Sequence, residues 1–331
     1  MAHFAQWPTR HHNQQLPDPH PRDPSLSGNP NRHLSSPAVA SIRGLVWKMA
    51  IATFVLMAIG SATRVMNAGL ACPDWPLCYG TLVPTQQMNL QVFLEWIHRL
   101  DASLIGLMAI ALVTLSWRRR RQVPVWLPWA SVGALVLVLI QGLLGGLTVT
   151  ELLRFDIVTA HLGTALLFFT TLLVIGVLLL PQATPLSERQ AMWIPPFSLA
   201  AAVLVYAQSL SGGLVGSQWA LHQCLQLIQL CKVVNVHLLG IIPVTLATVV
   251  TAGLGWRASS LAIKRLAQTA TGLLCIQLFL GTATFRLHLQ VELLTIAHQV
   301  VAAALLGTLV GIAALSWRDR LSLARRPAPL S

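Results

Sequence analysis

The sequence predicts an all-α, polytopic membrane protein with eight transmembrane helices, arranged as two tandem four-helix bundles related by a pseudo-twofold axis. Three observations carry this. Hydrophobic residues make up 55% of the 331-residue chain and charged residues 10%. Eight apolar stretches reach the roughly 20 residues that a helix needs to cross the hydrocarbon core. The chain also repeats itself: His98 precedes His161 by 63 residues, and His237 precedes His298 by 61.

Residues 1–43 are rich in Pro, His, Asn and Ser and hold His3, His11, His12, His20 and His33. So few core-forming side chains predict a disordered tail. Span 1 covers 44–65. The loop after it carries Cys72 and Cys78. Span 2, 92–117, contains Glu95, His98 and Arg99 and ends in the basic run Arg118 to Arg121. Span 3, 125–148, closes on Gln141-Gly-Leu-Leu-Gly-Gly146, and span 4, 157–180, holds Ala160-His161-Leu-Gly-Thr-Ala165 near its start. A linker, 181–193, is followed by span 5, 194–216; Pro181, Pro185, Pro195 and Pro196 mark the joint as exposed. The next loop carries Cys224 and Cys231. Span 6, 234–256, holds His237. Span 7, 262–285, contains Gln277-Leu-Phe-Leu-Gly-Thr282, and span 8, 292–317, contains Ala297-His298-Gln-Val-Val-Ala302. A short tail, 318–331, completes the chain. Spans 1–4 therefore match spans 5–8. An even number of spans per half gives the repeats the same orientation, related by an axis along the membrane normal.

Charge orients this scaffold. With eight spans, 17 of the 22 basic residues fall on one side, so both termini are expected to be cytoplasmic. The +12 net charge is mostly this asymmetry. A nucleic-acid partner would need a basic soluble face, and the chain has no such domain; its surrounding partner is lipid. The two cysteine pairs lie on the opposite, oxidising side. Disulfides Cys72–Cys78 and Cys224–Cys231 are expected there, with free or metal-binding thiols as the alternative. Cys275, inside span 7, reads as a small packing residue.

Ionisable side chains inside membrane helices are costly and mark function. His98, His161, His237 and His298 fall within about one turn of a common depth near the outer face, at 1.5 Å per residue. Alternate helices of a four-helix bundle can face one another across its core. Each half is then expected to hold one porphyrin iron between two imidazoles. Glycines near the outer ends (Gly60, Gly142, Gly145, Gly146, Gly212, Gly213, Gly216 and Gly281) allow close helix packing or leave room for a flat macrocycle. Glu95 shares a helix face with His98 and can move a proton beside a bound ring. Arg99 suits a propionate. The second half has Val234 and Leu238 at the matching positions, so the first half is expected to do chemistry and the second to hold a permanent redox cofactor.

Gly69-Leu-Ala-Cys72-Pro-Asp-Trp-Pro-Leu-Cys78-Tyr-Gly80, Glu95-x-x-His98-Arg99, Gln141-Gly-Leu-Leu-Gly145 and Ala160-His161-Leu-Gly163 resemble the haem A synthase family over about residues 44–317. The resemblance implies an eight-helix oxidoreductase that converts the C8 methyl of haem O to a formyl group, giving haem A for cytochrome oxidase. It implies haem O at His98 and His161 with Arg99 nearby, a haem b cofactor at His237 and His298, and a catalytic Glu95. Its expected partners are haem O, haem O synthase and an electron donor, with homo-oligomers possible in principle. The expected location is a bacterial plasma membrane or a related internal membrane. The main alternative is a di-haem b-type cytochrome passing electrons between quinone and a partner; it accounts for the histidines but not for Glu95 facing Val234 in the repeat.

Overall fold

The structure is a computed structural model and describes residues 34, 36–181, 185–216 and 228–324, with backbone alone at 228–231. Eight helices follow in order: α1 (Pro37–Val65), α2 (Leu90–Arg118), α3 (Trp126–Thr150), α4 (Phe155–Leu178), α5 (Glu188–Val215), α6 (Ile228–Trp256), α7 (Leu261–Arg286) and α8 (Glu292–Ala324). All eight are long and apolar enough to cross a membrane. The described residues contain no strand. Large apolar side chains such as Ile51, Leu104, Val203, Ile242, Leu246 and Phe279 stand exposed away from the cavity. Such a belt is an aggregation hazard in water and the normal surface in lipid.

Local chemistry moves several boundaries. α1 starts at Pro37, because Ser36 caps it by accepting from Val39 N at 3.3 Å and Pro37 suits the first turn. The last part of the expected tail, 37–43, is therefore helix. α5 starts at Glu188 rather than 194, behind a capping box of Ser187 and Gln190. Pro195 and Pro196 consequently lie inside α5 instead of in the joint. The Ser198 hydroxyl donates to the carbonyls of Ile194 and Pro195 at 2.7 and 3.0 Å. Side-chain hydroxyls of this kind help to make proline tolerable in membrane helices. α8 runs past 317 to Ala324.

In the first half α1 packs on α2 and α4, α2 on α3, and α3 on α4; in the second α5 packs on α6 and α8, α6 on α7, and α7 on α8. Each half is thus a ring of four helices in which the two histidine-bearing helices take opposite corners. The halves meet where α4 packs on α5 and α8, and α1 on α8. Ser61 Oγ donates to Gln299 Oε1 at 2.5 Å across this junction, and Tyr206 Oη donates to the Gly163 carbonyl at 3.3 Å. At the other end, Arg43 donates to the Leu179 carbonyl and Arg318 to that of Leu180, each at 3.1 Å. Two cations thereby hold the negative, carboxyl end of α4.

The repeat extends into the turns. The α3–α4 turn places Leu152 and Leu153 at φ 51° and 60°, and the α7–α8 turn places His288 and Leu289 at φ 50° and 60°. Leu153 N bonds Thr148 O at 2.8 Å, and Leu289 N bonds Thr284 O at 3.0 Å. Two successive left-handed residues other than glycine are uncommon, so their recurrence at matching positions reflects one inherited geometry.

Candidate functional site

One cavity of about 1080 Å³ runs through the region where the halves meet and is lined by His98, His161, His237 and His298. It exceeds the roughly 300–1,000 Å³ of a small-molecule pocket. All four rings are half-buried. His98 and His161 lie within electrostatic range of each other, as do His237 and His298, so the pairs fall within halves.

Each ring lies within electrostatic reach of a backbone carbonyl on the preceding helix. These are Leu56 for His98, Gln141 for His161, Gln208 for His237 and Gln277 for His298. Side chains add to three of the four. Gln141 Nε2 lies 3.2 Å from His161 Nε2, and Gln277 Nε2 lies 3.3 Å from His298 Nε2. Ser211 Oγ lies 2.9 Å from His237 Nδ1, and Gln208 Nε2 donates to the His237 carbonyl at 2.7 Å. Nδ1 of His98, His161 and His298 is buried without a partner. A ring nitrogen with no protein partner is open to act as an axial ligand. Two imidazoles per site suit iron held in a porphyrin, whose macrocycle supplies the other four donors; among the described residues no three His, Cys, Asp or Glu side chains cluster to hold a bare ion.

The α1–α2 loop closes over the first half. Cys72 and Cys78 form the expected disulfide. The buried Glu95 carboxylate, 4% exposed, accepts from Cys72 N at 2.7 Å through one oxygen and pairs with Arg99 at 2.5 Å through the other. Arg99 also donates to the carbonyls of Cys72, Asp74 and Leu77. Both side chains line the cavity, but the bonds of Arg99 go to the loop rather than leaving its fork open. Asp74 accepts from Gly80 N at 2.8 Å and Tyr79 N at 2.6 Å. The Gly80 amide foremost, with the Tyr79 amide and the charge of Arg99, holds the Asp74 carboxyl below its ordinary range.

Residues 43–310 match the family model described as "Cytochrome oxidase assembly protein". The chain belongs to this COX15-CtaA family. It is 28% identical over 85% of its length to the "Heme A synthase" of Shewanella oneidensis, covering 99% of that protein. It is 29% identical over 39% of its length to the "Heme A synthase" of Bacillus pumilus, covering 42% of that protein. A shorter segment, 23% of the chain, is 33% identical to 16% of the "Protoheme IX farnesyltransferase" of Haloarcula marismortui.

Within this COX15-CtaA scaffold the structure gathers Glu95, His98, Arg99, His161, His237 and His298 around one cavity, and it adds Arg64. This guanidinium lines the cavity at the end of α1, where NH1 donates to the Gly213 carbonyl of α5 at 3.3 Å. Among the described residues it forms no ion pair, so most of its five donors remain available. The glycines also divide. A Cβ on Gly60, Gly145, Gly212 or Gly281 would press on a histidine ring, whereas Gly146 faces Trp75, Gly213 faces Leu162 and Gly216 faces Arg64; only Gly142 of this set has open space. Most therefore seat side chains rather than a macrocycle. Cys275 is exposed on α7 and does not pack inward. The Cys224–Cys231 pairing and the N-terminal histidines lie outside the described residues.

Proposed function

We propose that the protein is a haem A synthase: an oxidoreductase that converts the C8 methyl of haem O to a formyl group. The observation that carries this reading is the set of four histidines around one cavity, paired His98 with His161 and His237 with His298. The family membership and the name of the Shewanella relative, matched almost end to end, support it. In this reading haem O binds between His98 and His161, and a resident haem b between His237 and His298. The haem b supplies one-electron chemistry that no protein side chain offers. The unpartnered ring nitrogens and the cavity fit both groups.

The protein's own part is to bind, orient and manage protons. Glu95 is positioned at the cavity wall by Cys72 N and Arg99, where a carboxylate oxygen can take up a proton released as the methyl group is oxidised, the electrons passing to a separate acceptor. The second half has Val234 there and offers no such base, which favours the synthase over a symmetric di-haem cytochrome. Arg99 holds the loop that covers the first half. Arg64 is the guanidinium with donors to spare for a propionate, a role the sequence alone assigns to Arg99. The two bundles share one orientation, with both termini cytoplasmic and the haem sites towards the outer face of a cell membrane. Haem O arrives from haem O synthase through lipid, and reducing equivalents are exchanged with a separate partner.

Extraction and separation of haems from purified protein made in cells that also make haem O tests this. Haem b together with haem O or A supports the synthase. Two haem b per chain, and no haem A in the cells, would refute it in favour of the cytochrome. His237→Ala and His298→Ala should each remove haem b while leaving haem O bound in the first half.

A further inference from the structure

One geometry recurs four times. Each histidine sits on an even-numbered helix, and its ring lies against a glycine of the helix before it. A Cβ on Gly60 would stand 2.7 Å from Cε1 of His98; on Gly145, 3.2 Å from Cε1 of His161; on Gly212, 3.0 Å from Cε1 of His237; and on Gly281, 2.9 Å from Cε1 of His298. A backbone carbonyl within electrostatic reach of each ring belongs to the residue four before that glycine: Leu56, Gln141, Gln208 and Gln277. Helix geometry connects the two facts. The carbonyl four residues back accepts the glycine N–H and keeps a second lone pair. A side chain at the glycine position would stand beside that lone pair and keep an imidazole away. The sequence carries the trace as Gln141-x-x-x-Gly145, Gln208-x-x-x-Gly212 and Gln277-x-x-x-Gly281, with Leu56-x-x-x-Gly60 as the exception.

We infer that Gly60, Gly145, Gly212 and Gly281 are positioning residues that set the ring planes of the four axial histidines. This rests on the haem-ligand reading above. The partner sets these four apart: on the same helices Gly44, Gly142 and Gly272 meet nothing within 4 Å of an added Cβ, and Gly146 and Gly213 meet Trp75 and Leu162, so the four that meet an imidazole are the ones before the four histidines. Helix propensity does not account for it either. Glycine weakens a helix interior by roughly 0.5–1 kcal/mol relative to alanine, so four glycines at these points are held against local preference.

The test compares Gly212→Ala and Gly281→Ala with Gly253→Ala and Gly272→Ala in the purified, haem-loaded protein. Readouts are haem b per chain, the low-temperature EPR spectrum of the ferric haem, which reports the angle between the two imidazole planes, and the midpoint potential. The control variants should keep the haem content, spectrum and potential. The seat variants should shift the spectrum and potential and weaken haem b retention by about tenfold or more, the loss expected when the partner of a ligating histidine is removed. Gln277→Leu keeps Gly281 and removes only the side-chain amide 3.3 Å from His298 Nε2; it should retain haem b, and if Gly281→Ala does not accumulate, Gly212→Ala carries the test. His298→Ala separates the two levels of the claim. If it loses haem b while Gly212→Ala and Gly281→Ala match wild type, the seat inference is overturned and the ligand reading stands. If His298→Ala retains haem b unchanged, the ligand reading itself fails.

Discussion

Glu95→Gln separates a catalytic carboxylate from a structural one. The amide can still accept from Cys72 N, but its NH2 group then faces Arg99, donor against donor, where an ion pair stood at 2.5 Å. Removing one member of a buried pair costs roughly 3–5 kcal/mol when the other charge is left bare. Arg99 keeps three carbonyl acceptors. The loss should therefore lie near that of a single charge-assisted bond, about 1.5–3 kcal/mol, or roughly 10- to 150-fold in docking of the loop. A proton-accepting role predicts a separate and larger effect on product, with conversion of haem O falling by roughly 10²–10⁴. The assay pairs haem extraction, resolving haem O, haem A and any hydroxylated intermediate, with amide exchange across residues 72–80. Near wild-type haem A from Glu95→Gln would refute the catalytic role. So would a Cys72→Ser variant that loosens the loop equally and loses the same activity, because Glu95 would then act only through the loop.

Three further outcomes follow from the same geometry. Mass mapping without reduction should find Cys72 joined to Cys78 and Cys224 joined to Cys231, with no cross-pairing; removing the first bridge should cost about 2–3 kcal/mol in the chain-entropy model and lower haem A formation more than removing the second. Arg64→Gln should weaken haem retention by about 10- to 100-fold, the value of a charge-assisted bond to a carboxylate, and unchanged haem content on dilution would remove Arg64 from the binding site. Asp74 has its folded pKa below the unfolded one. Its contribution to the loop is therefore full above the ordinary carboxylate value of about 3.9 and is lost as pH falls through the depressed value. Amide exchange at Tyr79 and Gly80, corrected for intrinsic rate, should rise in that acid window in the wild type and show no such step in Asp74→Asn.

The sequence by itself determined the eight spans and the two registers of histidine. Spanning depends on local composition against a fixed bilayer thickness, and a histidine in an apolar run stands out without knowledge of its neighbours. It also pointed to the Cys72–Cys78 bridge, two cysteines six residues apart on the expected oxidising side, with free or metal-binding thiols as the alternative that the structure set aside. Tertiary structure decided the rest. Arg99 turns to the loop and Arg64 to the cavity; Gly60, Gly145, Gly212 and Gly281 meet histidine rings while Gly146 meets Trp75; Pro195 and Pro196 are absorbed into α5. Each of these depends on how one helix is rotated against another. In lipid, hydropathy is nearly uniform around a helix and does not encode that rotation. It is set by van der Waals fit and by the few polar groups that must find partners, and those partners are known only once the helices are assembled.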